Sequence, residues 1–357
     1  MKTENNTGNF HKDFADIEDV NIRRQNSLPR SVPKRITLQV TNICNSRCSI
    51  CNIWTIYHKN KQKLRSELLE DEFLLIIDKA VTCGIKSIDV TGGEPFLKYG
   101  IVQILTLILN RLGFTCVTTN GLLPEMIANQ VEQVLTQTHF NSTFVVSVSL
   151  DGFPETYAKI RGVKDGFYKA IKLMKMLHKL SEKYRQLIYQ VSFTISDDNY
   201  HELIPLLDFL LQENLIQYAD QFTFRPAQTS DYYRCTNQIM KTKEIIKEIN
   251  NLQNKYSFTR DFHFIEGIKA SLLNPNTLIL PCYALFVSCW INPYGDVAPC
   301  VTMTDNIIGN LHHTDYDIMP IWESEQAAQV RKMIKMAQCP ICWTDCQADE
   351  NLYYGVV

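Results

Sequence analysis

The sequence predicts an α/β fold: a parallel sheet wound as an open, partial (β/α)6 TIM-like barrel. Three observations predict it. Short β-branched runs alternate with helical stretches of ten or more residues, the pattern of a parallel sheet with right-handed crossovers. Six such units fill residues 35–226, too few for a closed barrel of eight. Polar clusters recur directly after the strands, at the sheet edge where parallel α/β folds hold ligands. Spacing alone leaves a doubly wound open sheet as the alternative.

Taken in order, residues 1–33 read as a loosely ordered arm ending at Pro29 and Pro33. Arg35–Thr41 is a strand by its β-branched content, and a helix runs from about Ser66, a candidate N-cap, to Cys83, stopped by Gly84. Strand Ser87–Thr91, helix Tyr99–Leu112 before Gly113, strand Thr115–Thr119 and a helix through Val134 follow. Then come strand Phe144–Leu150, helix Gly166–Leu180, strand Ile188–Ser196, helix His201–Gln212 and a short strand Phe222–Arg225. Residues 34–226 form the barrel unit, and 227–281 a linker carrying a polar helix, Asn237–Lys255. Residues 282–357 form a small unit in which Phe286–Ile291 and Val297–Cys300 flank Asn292-Pro293-Tyr294-Gly295-Asp296 as a β-hairpin, with a helix at Ser324–Ala337.

Composition excludes several classes. Lys+Arg 36 against Asp+Glu 38 gives a net charge of −2, so no general basic field draws the chain to nucleic acid or anionic lipid. The longest largely apolar stretches, such as Ile101–Leu109, fall well short of the roughly 20 residues of a membrane span. The polar N-terminus lacks a signal-peptide core, and the expected location is the cytoplasm. In that reducing setting, 12 cysteines point to metal or redox work rather than disulfides. Cys83 and Cys116 read as small buried groups and Cys235 as an incidental loop thiol. His139, His178, His201, His263 and His312-His313 have no metal-ligand spacing, and Tyr232-Tyr233 suits either the barrel mouth or a surface loop.

The rim clusters are Cys44-x3-Cys48-x2-Cys51 after the first strand, Thr91-Gly92-Gly93-Glu94-Pro95 after the second, Thr119-Asn120-Gly121 after the third, Ser149-Leu150-Asp151-Gly152 after the fourth, Thr194–Asn199 after the fifth and Arg225 on the sixth. Each alone is ordinary turn chemistry; six on one rim read as one site. Three thiolates within eight residues select zinc or an iron–sulfur cluster. Zinc in a structural site wants a fourth ligand, and the nearest candidate, His58, lies beyond an aromatic stretch. Three thiolates on a four-iron cluster leave one iron open to a small molecule.

Cys44-x3-Cys48-x-Ile50-Cys51 resembles the signature of the radical S-adenosylmethionine superfamily. The resemblance implies a catalytic [4Fe–4S] cluster on Cys44, Cys48 and Cys51, whose open iron is chelated by the amino and carboxylate groups of S-adenosylmethionine. It further implies cleavage to a 5′-deoxyadenosyl radical that takes hydrogen from a substrate. Gly92, Gly93 and Glu94 are similar to the family's amino-group motif; Asn120, Ser149 and Asp151 fall where the family contacts ribose or carboxylate. Arg161 resembles the arginine paired with the cofactor carboxylate, while Ile50 and Thr194 lie at adenine positions.

Cys282-x12-Gly295-x4-Cys300 followed by Cys339-x2-Cys342-x3-Cys346 resembles the SPASM/twitch extension of that superfamily. Six cysteines fall short of the eight ligands of two auxiliary clusters, which favours the twitch form with one auxiliary [4Fe–4S] cluster. Cys282 and Cys300 rank first as its ligands, then Cys339 and Cys342, with Cys346 in reach of the same loop and Cys289 weakest; zinc is the alternative occupant. The implied substrate is a small molecule of sugar or aminocyclitol type, slightly favoured, or a ribosomal peptide. The implied partner is an electron donor such as flavodoxin or ferredoxin. The rival function is an iron–sulfur sensor or electron carrier without turnover, against which the cofactor rim argues.

Overall fold

A computed structural model of the 357-residue chain describes residues 32–59, 61–230, 232–233, 237–258, 262–344 and 348. The expected arm up to residue 31, Cys235 and Cys346 lie outside the described residues.

Six strands are parallel: β1 (Arg35–Gln39), β2 (Ser87–Thr91), β3 (Phe114–Thr119), β4 (Thr143–Ser149), β5 (Leu187–Ile195) and β6 (Phe222–Pro226). Their spatial order follows the chain without reversal. A sheet wound in one direction with right-handed crossovers puts its helices on a single face, whereas a doubly wound sheet must reverse at a switch point. The two faces agree. Ile36, Leu38, Ile88, Val90, Val117, Phe144, Val146, Val148, Val191 and Phe193 join one apolar core with the helices. The alternating positions carry Thr37, Gln39, Asp89, Thr118, Ser147, Ser149, Gln190 and Ser192. On that polar face Gln190 Nε2 donates to Ser147 Oγ over 3.5 Å, and Arg35 pairs with Asp89 at 2.6 Å. A parallel sheet covered by helices on both sides is apolar on both; this one is a partial barrel with a polar lumen.

The covering helices are α1 (Glu70–Thr82), α2 (Ile101–Leu112), α3 (Pro124–Gln137), α4 (Pro154–Arg161), α5 (Gly166–Lys183) and α6 (Leu203–Gln212), followed by α7 (Thr242–Lys255), α8 (Phe262–Leu273) and α9 (Glu325–Lys335). Ser66 does not cap α1. Its hydroxyl donates to Lys63 O within a 3-10 turn, and the helix starts at Glu70, where Glu72 accepts the Leu69 N–H at 2.6 Å. Helix α9, expected over Ser324–Ala337, has Ser324 as its N-cap, which accepts the Ala327 N–H at 3.1 Å. Among helices of eight or more described residues, two stand where the sequence reading had none: α4 after Asp151-Gly152, and α8 inside the supposed linker. Among the described residues, no helix is long and apolar enough to cross a membrane.

The C-terminal segment extends the same sheet. β7 (Ser288–Ile291) pairs parallel with β1, and β8 (Asp296–Ala298) and β9 (Gly309–Asn310) add antiparallel, so the predicted hairpin exists and is grafted onto the barrel edge. Because β7 runs with β1, its turn at Pro293-Tyr294 sits at the ligand-holding edge, beside the loop that follows β1. Helix α8 supplies a platform for the last cysteines. Trp343, next to Cys342, is 1% exposed, stacks on Phe264 and donates to the Phe264 carbonyl at 2.9 Å. Only Gly267 leaves room for it, since a Cβ there meets the indole at 2.0 Å. Trp343→Ala should lower the unfolding free energy of the metal-free chain by about 3–5 kcal/mol. A change below about 1 kcal/mol in urea denaturation would contradict this anchoring role.

Candidate iron–sulfur and cofactor site

The loop of the first three cysteines is held by backbone from two sides. Before it, Thr41 O accepts from Gly93 N at 2.8 Å and Ile43 O accepts from Glu94 N at 2.7 Å. A Cβ at Gly93 would stand 2.3 Å from Ile43 O, so this approach requires glycine. The neighbour that the glycine admits is thus the cysteine loop itself, which the sequence reading did not foresee. Behind the loop, the last turn of α4 offers carbonyls that a helix end leaves unpaired. Ile160 O accepts from Ser49 N at 2.7 Å, and Arg161 O accepts from Arg47 N at 3.2 Å and Ser46 Oγ at 2.8 Å.

All three sulfurs face donors. Cys44 Sγ accepts from Ser46 N at 3.4 Å and lies 3.8 Å from Asn120 Nδ2; Cys51 Sγ accepts from Ile53 N at 3.4 Å. Cys48 Sγ lies 3.2 Å from the Ser46 hydroxyl and 3.8 Å from Arg161 Nη1. Burial pushes the Cys44 thiol up to about 12, against the lowering effect of the Ser46 N–H, so ligation releases a proton. Three thiols faced by N–H groups suit the negative charge of a ligated cluster.

The remaining rim residues gather around this loop, with roles more internal than their sequence positions suggest. Glu94 is fully buried. Its Oε1 accepts from Thr119 Oγ1 at 2.9 Å and Phe96 N at 3.2 Å, and its Oε2 from Asn120 N at 2.7 Å. Asn120 Nδ2 donates to Asn45 Oδ1 at 2.7 Å, within the cysteine loop. Asp151, 0% exposed at its side chain, faces Arg161 Nε at 2.5 Å and accepts from Thr194 N at 2.7 Å. Burial opposes charge on Arg161, but Asp151 and Cys48 outweigh it and hold the guanidinium more firmly protonated than usual. Ser149 ends β4 in register with Ser192, and the Ile50 carbonyl accepts from Asn237 Nδ2 at 2.9 Å. Tyr232-Tyr233 lies against the loop: Tyr232 O accepts from Asn52 N at 2.8 Å, and Tyr233 forms a β-bridge with Cys51.

Glu67 had no signal in the sequence. Buried beside the loop, it accepts from Asn42 N at 2.7 Å, Thr41 Oγ1 at 2.9 Å and Tyr57 OH, and pairs with Lys98 at 3.4 Å. Tyr294 of the β7–β8 turn accepts from Asn42 Nδ2 at 3.0 Å and donates to Tyr57 OH at 3.3 Å. One carboxylate thereby ties the cysteine loop to the C-terminal hairpin.

Cys282, Cys300, Cys339 and Cys342 form a second group. Burial, then the nearby Cys300, Cys342 and Cys339, raise the Cys282 thiol well above its ordinary value. Burial and Cys300 push Cys339 up to about 11. Thr302 Oγ1 lies 3.1 Å from Cys300 Sγ and donates to Cys342 Sγ at 3.9 Å. Cys289 is buried in the core, in register with Ile36, and lines a small cavity together with Cys300. Cys83 and Cys116, expected to be buried, are only partly so; Cys83 donates to Asp317 Oδ1 at 3.8 Å.

Glu94 carries a pH dependence. Burial raises its carboxyl from 4.5 to about 7, although Asn120 N–H, Thr119 OH, Phe96 N–H and Arg161 all pull it down. The folded chain therefore binds a proton that the unfolded chain releases, and stability falls as pH rises between those values. The fall should be about 3 kcal/mol in the metal-free chain and absent in Glu94→Gln. An unchanged pH profile of urea unfolding in that variant would refute it.

Comparison with known proteins agrees with this geometry. Residues 38–210 match the radical SAM superfamily, and residues 282–347 match the SPASM iron–sulfur cluster-binding domain. The chain is 29% identical over 210 residues to the sporulation killing factor maturation protein SkfB of Bacillus subtilis, covering 59% of this chain and 46% of that one. It is 22% identical over 326 residues to the antilisterial bacteriocin subtilosin biosynthesis protein AlbA of the same organism, covering 87% of this chain and 65% of that one. The chain thus spans about half to two thirds of the length of these relatives. A probable GTP 3′,8-cyclase of Methanococcus maripaludis is 23% identical over 282 residues, 76% of this chain and 86% of its own. In fold, the chain is similar to Streptococcus suis SuiB bound to precursor peptide SuiA, with TM-score 0.62 at 16% identity over 92% of this chain and 73% of that one. It is also similar to anSMEcpe with bound AdoMet and a peptide, with TM-score 0.60 at 17% identity over 85% and 83%. With its three-cysteine loop at the end of β1, a one-way partial barrel and a second thiol group beside β7, the chain belongs to the radical S-adenosylmethionine superfamily and carries a C-terminal SPASM iron–sulfur domain.

Proposed function

We propose that this chain is a peptide-modifying radical enzyme, which cleaves S-adenosylmethionine reductively and oxidises or rearranges a ribosomally made peptide. The observation that carries the reading is the pairing of two thiol groups on one continuous sheet, at β1 and behind β7, flanking a polar lumen. A peptide substrate is supported by what SkfB and AlbA are named for and by the fold shared with peptide-bound SuiB. When bound, the cluster and S-adenosylmethionine supply a 5′-deoxyadenosyl radical. The chain's own residues hold and shield that chemistry. Cys44, Cys48 and Cys51 ligate the cluster. The Gly92–Glu94 segment receives the methionine amino group, and Arg161 its carboxylate. Asn120, Ser149 and Asp151 border the ribose, with Ile50 and Thr194 by the adenine. Cys282, Cys300, Cys339 and Cys342 would hold an auxiliary cluster, which would supply an electron acceptor or a substrate-placing group; Cys346 is a further candidate ligand. Residues 34–226, 227–281 and 282–357 act as barrel, linker and auxiliary unit. An external donor such as flavodoxin or ferredoxin supplies the electron.

A small-molecule reading has one observation in its favour, the similarity to a nucleotide cyclase across 86% of that relative's length. Peptides encoded beside the gene should stimulate 5′-deoxyadenosine formation above the uncoupled level under dithionite. Stimulation by nucleotides or aminocyclitols alone would transfer the assignment to the second reading.

The two thiol groups should also separate in an iron count. The intact chain should hold about eight irons, in two four-iron clusters. Replacing Cys44, Cys48 and Cys51 with Ala should leave about four and abolish 5′-deoxyadenosine formation. Continued cleavage by that variant, or zinc at the C-terminal group, would overturn the respective assignment.

A further inference from the structure

We propose that Arg161 and Asp151 together set the electron affinity of the cluster held by Cys44, Cys48 and Cys51, Arg161 raising its reduction potential and Asp151 tempering it. This rests on the cluster assignment above and goes beyond the carboxylate-binding role given there to Arg161. The geometry is specific. Arg161 Nη1 lies 3.8 Å from Cys48 Sγ, and Cys48 is only 6% exposed. The guanidinium is 13% exposed and the Asp151 carboxylate not at all. Arg161 Nε and Asp151 Oδ2 meet at 2.5 Å, and neither atom has a hydrogen-bond partner beyond this contact. The cation is therefore held against the sulfur through Nη1, while its counter-charge meets the guanidinium at a different nitrogen, Nε. Iron–sulfur potentials respond to net charge, hydrogen bonds to sulfur and solvent exposure. A buried charge is weakly screened and acts more strongly than the same charge in water. Reduction adds a negative charge to the cluster, so a nearby cation favours it and an anion disfavours it. Arg161 reaches the sulfur and Asp151 reaches Arg161, so the pair as a whole favours reduction.

The consequence is an ordering that a purely structural role would not produce. Among reconstituted full-length proteins, the midpoint potential should run Asp151→Asn highest, then the native chain, then the double variant Asp151→Asn with Arg161→Gln, and Arg161→Gln lowest. Arg161→Lys, which keeps the charge but not the fork, should fall between the native chain and Arg161→Gln. Removing Arg161 alone strands a buried carboxylate, which can unfold a protein; the double variant leaves no unpaired charge and keeps the test open if that single variant does not fold. The measurement is an anaerobic redox titration followed by electron paramagnetic resonance, in the absence of S-adenosylmethionine, reading the signal that this cofactor perturbs when added afterwards. The C-terminal cluster serves as an internal reference and should not move. Equal potentials for the native chain and the double variant, with iron content unchanged, would overturn the proposal. So would a shift of both clusters by the same amount. Failure of the underlying cluster assignment looks different: no signal would respond to S-adenosylmethionine in the native chain.

Discussion

The site depends on a backbone constraint: the loop carrying Cys44, Cys48 and Cys51 is pinned between the Gly93-Glu94 amides and the terminal carbonyls of α4. Neither side relies on a side chain that could swing away. The amides come from the loop after β2, the carbonyls from the helix after β4, and the loop itself follows β1, so three separate parts of the rim converge there. This convergence fixes the backbone that carries the three sulfurs. It also explains why position 93 requires glycine: a Cβ there would stand 2.3 Å from Ile43 O.

A second layer of charge and hydrogen bonding surrounds that loop. Glu94, Asp151 and Glu67 are buried carboxylates, each held by donors or a cation from elements that would otherwise be free to shift. Glu94 joins the ends of β2 and β3, Asp151 joins α4 to β5, and Glu67 joins the cysteine loop to the C-terminal hairpin. Breaking one partner of such an arrangement costs more than forming it contributes, because the other is left buried and unpaired. The C-terminal segment enters by the same logic. Its first strand continues the barrel sheet, so the second thiol group is fixed relative to the first through β1 and β7 rather than through a flexible linker.

Much of this was readable from the sequence, for physical reasons. The strands and the rim clusters are local: β-branched runs, turn residues and cysteine spacing declare themselves within a few positions. The one-way strand order was not declared, and the polar lumen decided it only once the strands' facing was known. α4 was missed because Pro154–Arg161 is short and largely polar, with Tyr157 and Ile160 as its buried positions. α8 was missed because its neighbours Pro275 and Pro281 read as linker, and because Gly267, which seats Trp343, reads as a helix breaker. The grip of the Ile160 and Arg161 carbonyls had no sequence signal, since backbone groups carry none. Glu94 and Asn120 illustrate a different limit. Both lie beside the cysteine loop, but a sequence does not reveal how many of a side chain's hydrogen bonds are already committed to its own fold.

The central claim is that the Cys44–Cys51 loop holds a cluster with one iron left open for S-adenosylmethionine. The most direct measurement is electron–nuclear double resonance on the reduced protein, with the cofactor isotopically labelled in its amino and carboxylate groups. The account predicts hyperfine coupling of both labels to the cluster's electron spin. Coupling of neither label, in a protein whose cluster is intact and whose cofactor is bound, would contradict it.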